Sequence, residues 1–284
     1  MRLKKFGILI AVTILSLTMI LTACSNTGAT STDATVTATK ESRQTGTADN
    51  GSLQRVLNAG KITFVGSGGY PPFNYFDDNG NVVGFDVDVG QEIANRLGVE
   101  LDYVTSDWDG LVEGLRNKRY DGILGSMAIT EERQQVVSFT DPYYYSGAQL
   151  VVRNDSGITD SSEMSGKTIA VATGTNYVGD AENLGAEVSL YQDDNATALE
   201  LINGRVDGVI TDRLVALKAM SEISAGEDLE LCGKILRLEE MGIAINQDDT
   251  SLLEKINQIL ADMRKDGTLT AISENWHGAD ITVK

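Results

Sequence analysis

Asp121-Gly122-Ile123-Leu124-Gly125-Ser126-Met127-Ala128-Ile129-Thr130-Glu131-Glu132-Arg133 is the stretch around which this chain is organised. Ile123 and Leu124 read as a short buried strand. Small side chains follow, and then Thr130-Glu131-Glu132-Arg133, the first turn of a helix with Thr130 as N-cap. Small residues ahead of a helix start leave backbone N–H groups open to an anion, and Arg133 adds a planar, two-pronged donor for a carboxylate. The pattern suits a pocket for the α-carboxylate of an amino acid. Taken alone, it suits an ordinary strand–turn–helix joint with a surface arginine better, and the rest of the chain reverses that preference.

Outward from that joint, short apolar strands alternate with amphipathic helices from Leu53 onward, which indicates an α/β fold with largely parallel sheets. Lys61 to Gly66 is the first strand. Val87, Val89, Ile93, Ala94 and Leu97 lie on one helical face between Asp86 and Leu97, with Asp86 expected as the cap and Gly98 closing the helix. Leu101 to Val104 is a strand, and Trp108, Leu111, Val112 and Leu115 mark the next helix. A second set follows: strands Thr168 to Ala172, Val188 to Tyr191 and Val206 to Ile210, with helices Thr175 to Leu184, Ala196 to Ile202 and Asp212 to Met220. Leu252 to Met263 and Leu269 to Trp276 close the chain as helices. Asn117-Lys118-Arg119-Tyr120-Asp121-Gly122-Ile123-Leu124 lines up with Asn203-Gly204-Arg205-Val206-Asp207-Gly208-Val209-Ile210. Either the chain makes two similar lobes, with Gln149–Arg153 and Ile235–Ile245 crossing between them, or any helix-to-strand joint reads this way.

The 284 residues suffice for one large or two modest domains, and an apolar content of 42% is ordinary for a globular protein. The formal net charge is −18; without residues 1–24, which hold Arg2, Lys4 and Lys5 and no acid, it is −21. An acidic surface argues against nucleic acid and against electrostatic docking on anionic lipid. It leaves room for an anionic ligand at one local clamp. With one histidine, His277, and two cysteines, Cys24 and Cys232, no zinc site, catalytic triad or cofactor site is expected.

Arg2, Lys4 and Lys5 precede an apolar run from Phe6 to Leu21, which has the n-region and h-region of an export signal or, alternatively, an uncleaved anchor. No second run of about 18 apolar residues occurs. Residues 25–52 are rich in Ser, Thr, Ala, Gly and Asn, cannot form a core, and are expected to be a flexible tether. Cys232 then reads as a small buried hydrophobe.

Three tempting motifs fail. Ser165-Gly166-Lys167-Thr168 lacks the first glycine of a P-loop, and its lysine opens a strand. Asp86-Val87-Asp88 has the wrong spacing for a calcium loop, and Gly66-Ser67-Gly68-Gly69 is not a dinucleotide fingerprint. Tyr70-Pro71-Pro72-Phe73, by contrast, stiffens a loop just after the first strand, where open α/β sheets place their ligands.

Several segments together resemble the polar amino-acid family of bacterial extracellular solute-binding proteins, the receptors of ABC importers. They are Tyr70-Pro71-Pro72-Phe73, Val83-Gly84-Phe85-Asp86-Val87-Asp88, Asp107-Trp108-Asp109-Gly110-Leu111, Ile129-Thr130-Glu131-Glu132-Arg133 and Phe139-Thr140-Asp141-Pro142-Tyr143-Tyr144, with Gly174-Thr175. Gly174-Thr175-Asn176-Tyr177, Thr211-Asp212-Arg213-Leu214, Lys265-Asp266-Gly267-Thr268-Leu269 and Trp276-His277-Gly278-Ala279-Asp280 are similar to the cystine-binding branch. Leu21-Thr22-Ala23-Cys24 resembles a bacterial lipobox.

The resemblance implies the two-lobed, type II periplasmic-binding-protein-like fold, with two α/β lobes on a two-stranded hinge. The first lobe would comprise residues 53–147 and 241–284 and the second 148–240, after a lipoprotein signal peptide (1–24) ending at a lipidated Cys24. Arg133 would clamp the α-carboxylate with help from backbone N–H groups near Met127 and Ala128 and from Thr175 and Asn176. Asp212, unless a plain helix cap, would take the α-ammonium; Tyr70 and Trp108 would flank the ligand's side chain, and Ser67 and Ser126 would tune specificity. Two departures stand out: Ala128 replaces a hydroxyl residue common in the family, and Ser67 stands where members that bind basic side chains often carry an acid. The function implied is a monomeric, lipid-anchored receptor on the extracytoplasmic face of a bacterial membrane. It would bind a polar amino acid, L-cystine first, with arginine, glutamine or cysteine as alternatives, and pass it to ABC permease subunits without catalysis. A dehydratase on the same scaffold would need a positioned acid or base, and no histidine lies near these motifs; a sensory subunit would need a separate signalling partner.

Overall fold

A computed structural model describes residues 51–284. The expected export signal (1–24), Cys24 and the tether up to residue 50 lie outside the described residues. The first helix already opens at Ser52, which is fully buried and pairs its hydroxyl with Ser251 at 3.1 Å.

In chain order the elements run α1 (Ser52–Ala59), β1 (Lys61–Gly66), β2 (Gly69–Tyr70), β3 (Asn74–Phe76), β4 (Val82–Val83), α2 (Phe85–Leu97), β5 (Glu100–Thr105), α3 (Leu111–Arg116), β6 (Gly122–Ile123), α4 (Glu131–Gln134) and β7 (Ser138–Phe139). They continue with β8 (Tyr144–Arg153), β9 (Thr168–Ala172), α5 (Tyr177–Asn183), β10 (Glu187–Tyr191), α6 (Asp194–Ile202), β11 (Gly208–Asp212), α7 (Arg213–Glu222), β12 (Leu229–Met241), β13 (Ala244–Ile245), α8 (Thr250–Asp266) and α9 (Thr268–His277).

Two five-stranded sheets organise these elements, one in the order β5-β1-β6-β13-β7 and the other β10-β9-β11-β8-β12. In each, three neighbouring strands pair in parallel, the fourth in the order (β13 or β8) runs the opposite way, and the fifth pairs antiparallel to that one, so the sheets are mixed where the periodicity alone suggested mainly parallel pairing. Strand alternation splits each core into two faces. Ile62 and Phe64 pack against Ile93, Ile256 and Leu260, while Val65 and Ile123 face Leu111 and Leu115. In the second sheet Ile169 and Val171 face Tyr177 and Ala181, while Ala170 and Val209 face Leu201 and Ala216. Cys232 is buried in this second core, as its surroundings in sequence suggested.

The internal echo is physical. Lys118 and Gly204, at matching positions, both take left-handed backbone conformations (φ 56° and 68°) to end a helix. Three residues on, Asp121 accepts from the Thr63 N–H at 2.9 Å and Asp207 from the Thr168 N–H at 2.8 Å. Each aspartate also donates its own N–H to the carbonyl of that same threonine. Both lobes therefore dock a helix end onto the start of a strand with the same pair of hydrogen bonds.

One expectation is corrected. Asp86 does not cap α2; Gly84 holds that position with φ 134°, where an added Cβ would lie 2.1 Å from the Phe73 carbonyl oxygen. Asp86 is instead fully buried in the first turn and accepts from Asn74 Nδ2 (2.8 Å), Ser126 Oγ (3.0 Å) and the Tyr143 hydroxyl (2.6 Å). The small sheet β2-β3-β4 carries Tyr70 beside this group, and it left no alternating pattern in the sequence.

The lobes are joined by β8 and β12, antiparallel neighbours that pair from Met241↔Tyr144 to Leu229↔Arg153 with a register shift between Cys232 and Arg237. The segments read from the sequence overlap these strands only in part: Gln149–Arg153 is the end of β8 that pairs with β11 in the second sheet, and Ile235–Ile245 runs past β12 into β13.

Candidate functional site

The C-terminal ends of the parallel strands of both sheets open toward one cleft, the position open α/β sheets use for ligands. Ser67 follows β1, Ser126 follows β6, Ala172 ends β9 and Gln192 follows β10; all four line a cavity of 130 Å³. That is below the few hundred Å³ of a drug-sized pocket and suits a single small molecule. The walls meet across the cleft. Trp108 Nε1 donates to the Gly174 carbonyl at 3.2 Å, and Gly174, at φ 77°, would bring an added Cβ within 3.3 Å of Asp109.

On the first wall, Asp86 fixes the loop that leaves β6. Ser126 adopts φ 57°, a strained value for a residue with a side chain, and it is tied at both ends: its N–H donates to the Tyr143 hydroxyl at 3.0 Å and its Oγ to Asp86. The Asn74 amide, held by Asp86, receives the Gly68 N–H at 2.9 Å, so one carboxylate braces both loops that carry Ser67, Tyr70 and Ser126. Burial pushes Asp86 up to about 6, against the pull of its three hydrogen bonds. Tyr70 stacks on Phe73, ring centroids 5.8 Å apart.

Beyond Ser126, Met127 turns its side chain into the core beneath and gives its carbonyl to the Gly242 N–H; it does not line the cavity. Ala128 does. Thr130 caps α4 by accepting from the Arg133 N–H at 3.2 Å, as its place in the sequence indicated. Arg133 reaches back so that Nη1 donates to the Ala128 carbonyl at 2.9 Å, with its guanidinium 5.6 Å above the Trp108 ring. Among the described residues it has no carboxylate within ion-pair distance, and burial pulls its pKa below the ordinary arginine value. An arginine so placed carries an unanswered positive charge into a partly dry cavity.

The second wall is acidic. Thr175 and Asn176 sit in the turn before α5, not within it, and so reach the cavity. Thr175 Oγ1 donates to the Ala172 carbonyl at 2.7 Å. Asn176 Nδ2 donates at 2.8 Å to Glu239, a buried residue on β12 that also accepts from the Tyr177 hydroxyl (3.1 Å) and from Arg237 (3.0 Å). Arg237 in turn holds Asp180 at 2.7 Å. A hinge strand is thereby hydrogen-bonded to the cavity wall. Asp193 caps α6 through the Ala196 N–H at 2.8 Å, and Asp194 accepts from Thr211 Oγ1 at 2.5 Å. Burial pushes Asp194 up to about 6, against the Thr211 hydrogen bond, and the neighbouring Asp193 adds to the rise.

Of the ten residues read from the sequence, Ser67, Tyr70, Trp108, Ser126, Ala128, Arg133, Thr175 and Asn176 line this cavity; Met127 and Asp212 do not. Asp212 ends β11 fully buried, its Oδ1 capping α7 through the Leu214 N–H at 2.7 Å and its Oδ2 without a partner. Burial, then the nearby charge of Glu239, push it up to about 7. It also acts electrostatically on Tyr70 and Tyr177, both on the cavity wall. Missed altogether were Asp107, Tyr177, Asp193, Asp194 and, behind the wall, Glu239. Only Asp193-Asp194 left a signal, and it is the ordinary one of a helix start.

The sequence model of the bacterial extracellular solute-binding proteins, family 3, matches residues 62–279. The chain belongs to that family. It is similar to the L-cystine-binding protein TcyJ of Escherichia coli (strain K12), 36% identical over 239 residues, 83% of this chain and 89% of that one. It is also similar to the probable amino-acid-binding protein YxeM of Bacillus subtilis (strain 168), 31% identical over 291 residues and covering 100% of this chain and 99% of the other. Among solved structures, the arginine-bound form of a truncated ArgBP from T. maritima superposes with a TM-score of 0.70 at 39% identity, covering 74% of this chain and 99% of that one. Family 3 proteins are extracellular binders of solutes, and this member is a two-lobed binding protein of that kind.

Proposed function

We propose that this member binds one polar amino acid, L-cystine first, between its lobes and delivers it to the permease of an ABC importer while tethered through a lipid on Cys24. The first lobe then comprises residues 53–147 and 241–284, and the second 148–240. The observation that carries the reading is the Arg133 guanidinium, unpaired on a cavity whose opposite wall is acidic. A zwitterion supplies both missing partners: its carboxylate meets Arg133, and its ammonium is drawn to the acidic second wall and to Asp212 Oδ2, whose charge already acts on Tyr70 and Tyr177 of the cavity wall. Charge-assisted hydrogen bonds of this kind are the strong ones. The 36% identity to an L-cystine-binding protein favours cystine among the candidates.

A ligand that binds only the folded state raises its melting temperature by mass action. A panel of the twenty amino acids and L-cystine, read by thermal shift, is expected to give a shift with a few polar members. Absence of any shift sinks the reading. Arg133→Ala is expected to weaken binding about 100-fold, from the ~1.5–3 kcal/mol of a charged hydrogen bond, while the ligand-free protein melts no lower than the parent.

A further inference from the structure

An ordinary zwitterion leaves the cavity out of balance. If Arg133 takes the α-carboxylate and Asp212 the α-ammonium, as proposed above, the second wall still holds an unanswered carboxylate. Asp194 lines the cavity, spends Oδ1 on the Thr211 hydroxyl, and has no cation within ion-pair distance among the described residues. Asp193 and Asp107 line the same cavity, and among the described residues neither has a basic partner and Arg133 is the only cation on the lining. Asp194 opens α6, which packs against β2, so its carboxylate stands across the cleft from Tyr70, on which it acts electrostatically. Fully buried Asp212, with its unpartnered Oδ2, lies one residue beyond the threonine that holds Asp194. One carboxylate, Asp194, thus stands on the cavity wall and a second, Asp212, lies behind it within electrostatic reach of the wall tyrosines, and one zwitterionic head can satisfy only one of them. Keeping a second, half-buried carboxylate on the wall without a cation is unfavourable once the cleft closes over a ligand, unless that ligand brings one.

We infer that Asp194 is a specificity-determining residue, and that the ligand carries a second positive group beyond its α-ammonium. This inference rests on the amino-acid reading and narrows it. Its class is the amino acids with a distal guanidinium or ammonium: arginine, lysine, ornithine, and cystine through its far α-ammonium. Glutamine, cysteine and citrulline fall outside it. Tyr70, on which both carboxylates act, would line the ligand's stem with its ring.

The test is calorimetric titration of the whole folded body (residues 51–284) with arginine, lysine, ornithine, cystine, glutamine, cysteine and citrulline. The tightest ligand is expected to carry the second cation and to exceed citrulline, the neutral isostere of arginine, by at least tenfold. Asp194→Asn, which keeps an acceptor for Thr211, is expected to weaken that ligand at least tenfold and leave the neutral ones unchanged. Asp194→Glu is expected to restore part of the loss, and an unchanged ligand-free melting temperature separates recognition from folding. If a neutral amino acid is the tightest, or if Asp194→Asn weakens all ligands alike, the inference falls and the amino-acid reading stands. If none of them binds, both fall.

Discussion

At the scale of single residues, the site is built from charges that the fold leaves without partners. Asp212 is the clearest, because one oxygen caps α7 and the other makes no close hydrogen bond, with only the equally unpaired Ser146 hydroxyl nearby. Asparagine is an equally good N-cap, so Asp212→Asn keeps the cap and removes a buried charge. The folded-state pKa is raised to about 7 from an ordinary value near 3.8. The stability contribution of such a group is whole below its unfolded pKa and is lost as pH rises through the folded one. Asp86 and Asp194, raised to about 6, act in the same direction. His277, pushed down to about 4 by burial, acts in the opposite one, losing its contribution as pH falls from its ordinary 6.5 toward 4. The ligand-free protein is therefore expected to melt highest at mildly acid pH and to weaken toward pH 8. Asp212→Asn should flatten the alkaline side and raise the melting temperature at pH 8 by several degrees, at roughly 2–4 °C per kcal/mol for a body of this size. The same variant should lose the thermal shift given by amino acids. A variant that melts like the parent across the range and still responds to ligand would remove Asp212 from the site.

Elements explain what could be read from the chain and what could not. Arg133, Ser126 and Tyr70 were legible because each sits at a strand end where small residues, a cap or prolines mark a turn facing the ligand edge of a sheet. Asp194 was hidden because polar residues at a helix start read as caps, and Asp193 beside it is one. Glu239 was hidden for another reason. The register of β12 shifts between Cys232 and Arg237, and a one-residue slip exchanges the faces of a strand. Asp86 misled because an aspartate at a helix start fits a cap as well as a buried brace. Trp108 read from its spacing as part of a helix face and from the resemblance as a flank of the ligand, but not as a bridge to Gly174, which depends on how the lobes meet. Trp108→Phe keeps a ring beneath Arg133 and deletes the N–H. The lost bond is worth ~0.5–1.5 kcal/mol, so affinity should fall about three- to tenfold, chiefly through faster ligand release. Stopped-flow dissociation measures this; an unchanged off-rate would mean that the bridge does not hold the cleft shut.

For the molecule as a whole, the charge of −18 and the single basic group in the cavity separate two jobs. The surface repels polyanions, while one arginine takes a carboxylate locally. Among the described residues no helix is long and apolar enough to cross a membrane, and the attachment proposed above is the lipid on Cys24. Cys24→Ser is expected to abolish incorporation of labelled lipid and to move the protein from the membrane fraction to the medium or periplasm; retention at the membrane would assign the anchor to something else. The antiparallel pairing of β8 with β12 has a consequence for how the chain can be divided. Gly147 and Leu238 face each other in register, so the intervening segment leaves and returns at neighbouring points. Excising it and closing the gap with a tight turn would yield a standalone half-receptor that owns the guanidinium but neither aspartate, a molecule able to touch a carboxylate and unable to enclose it.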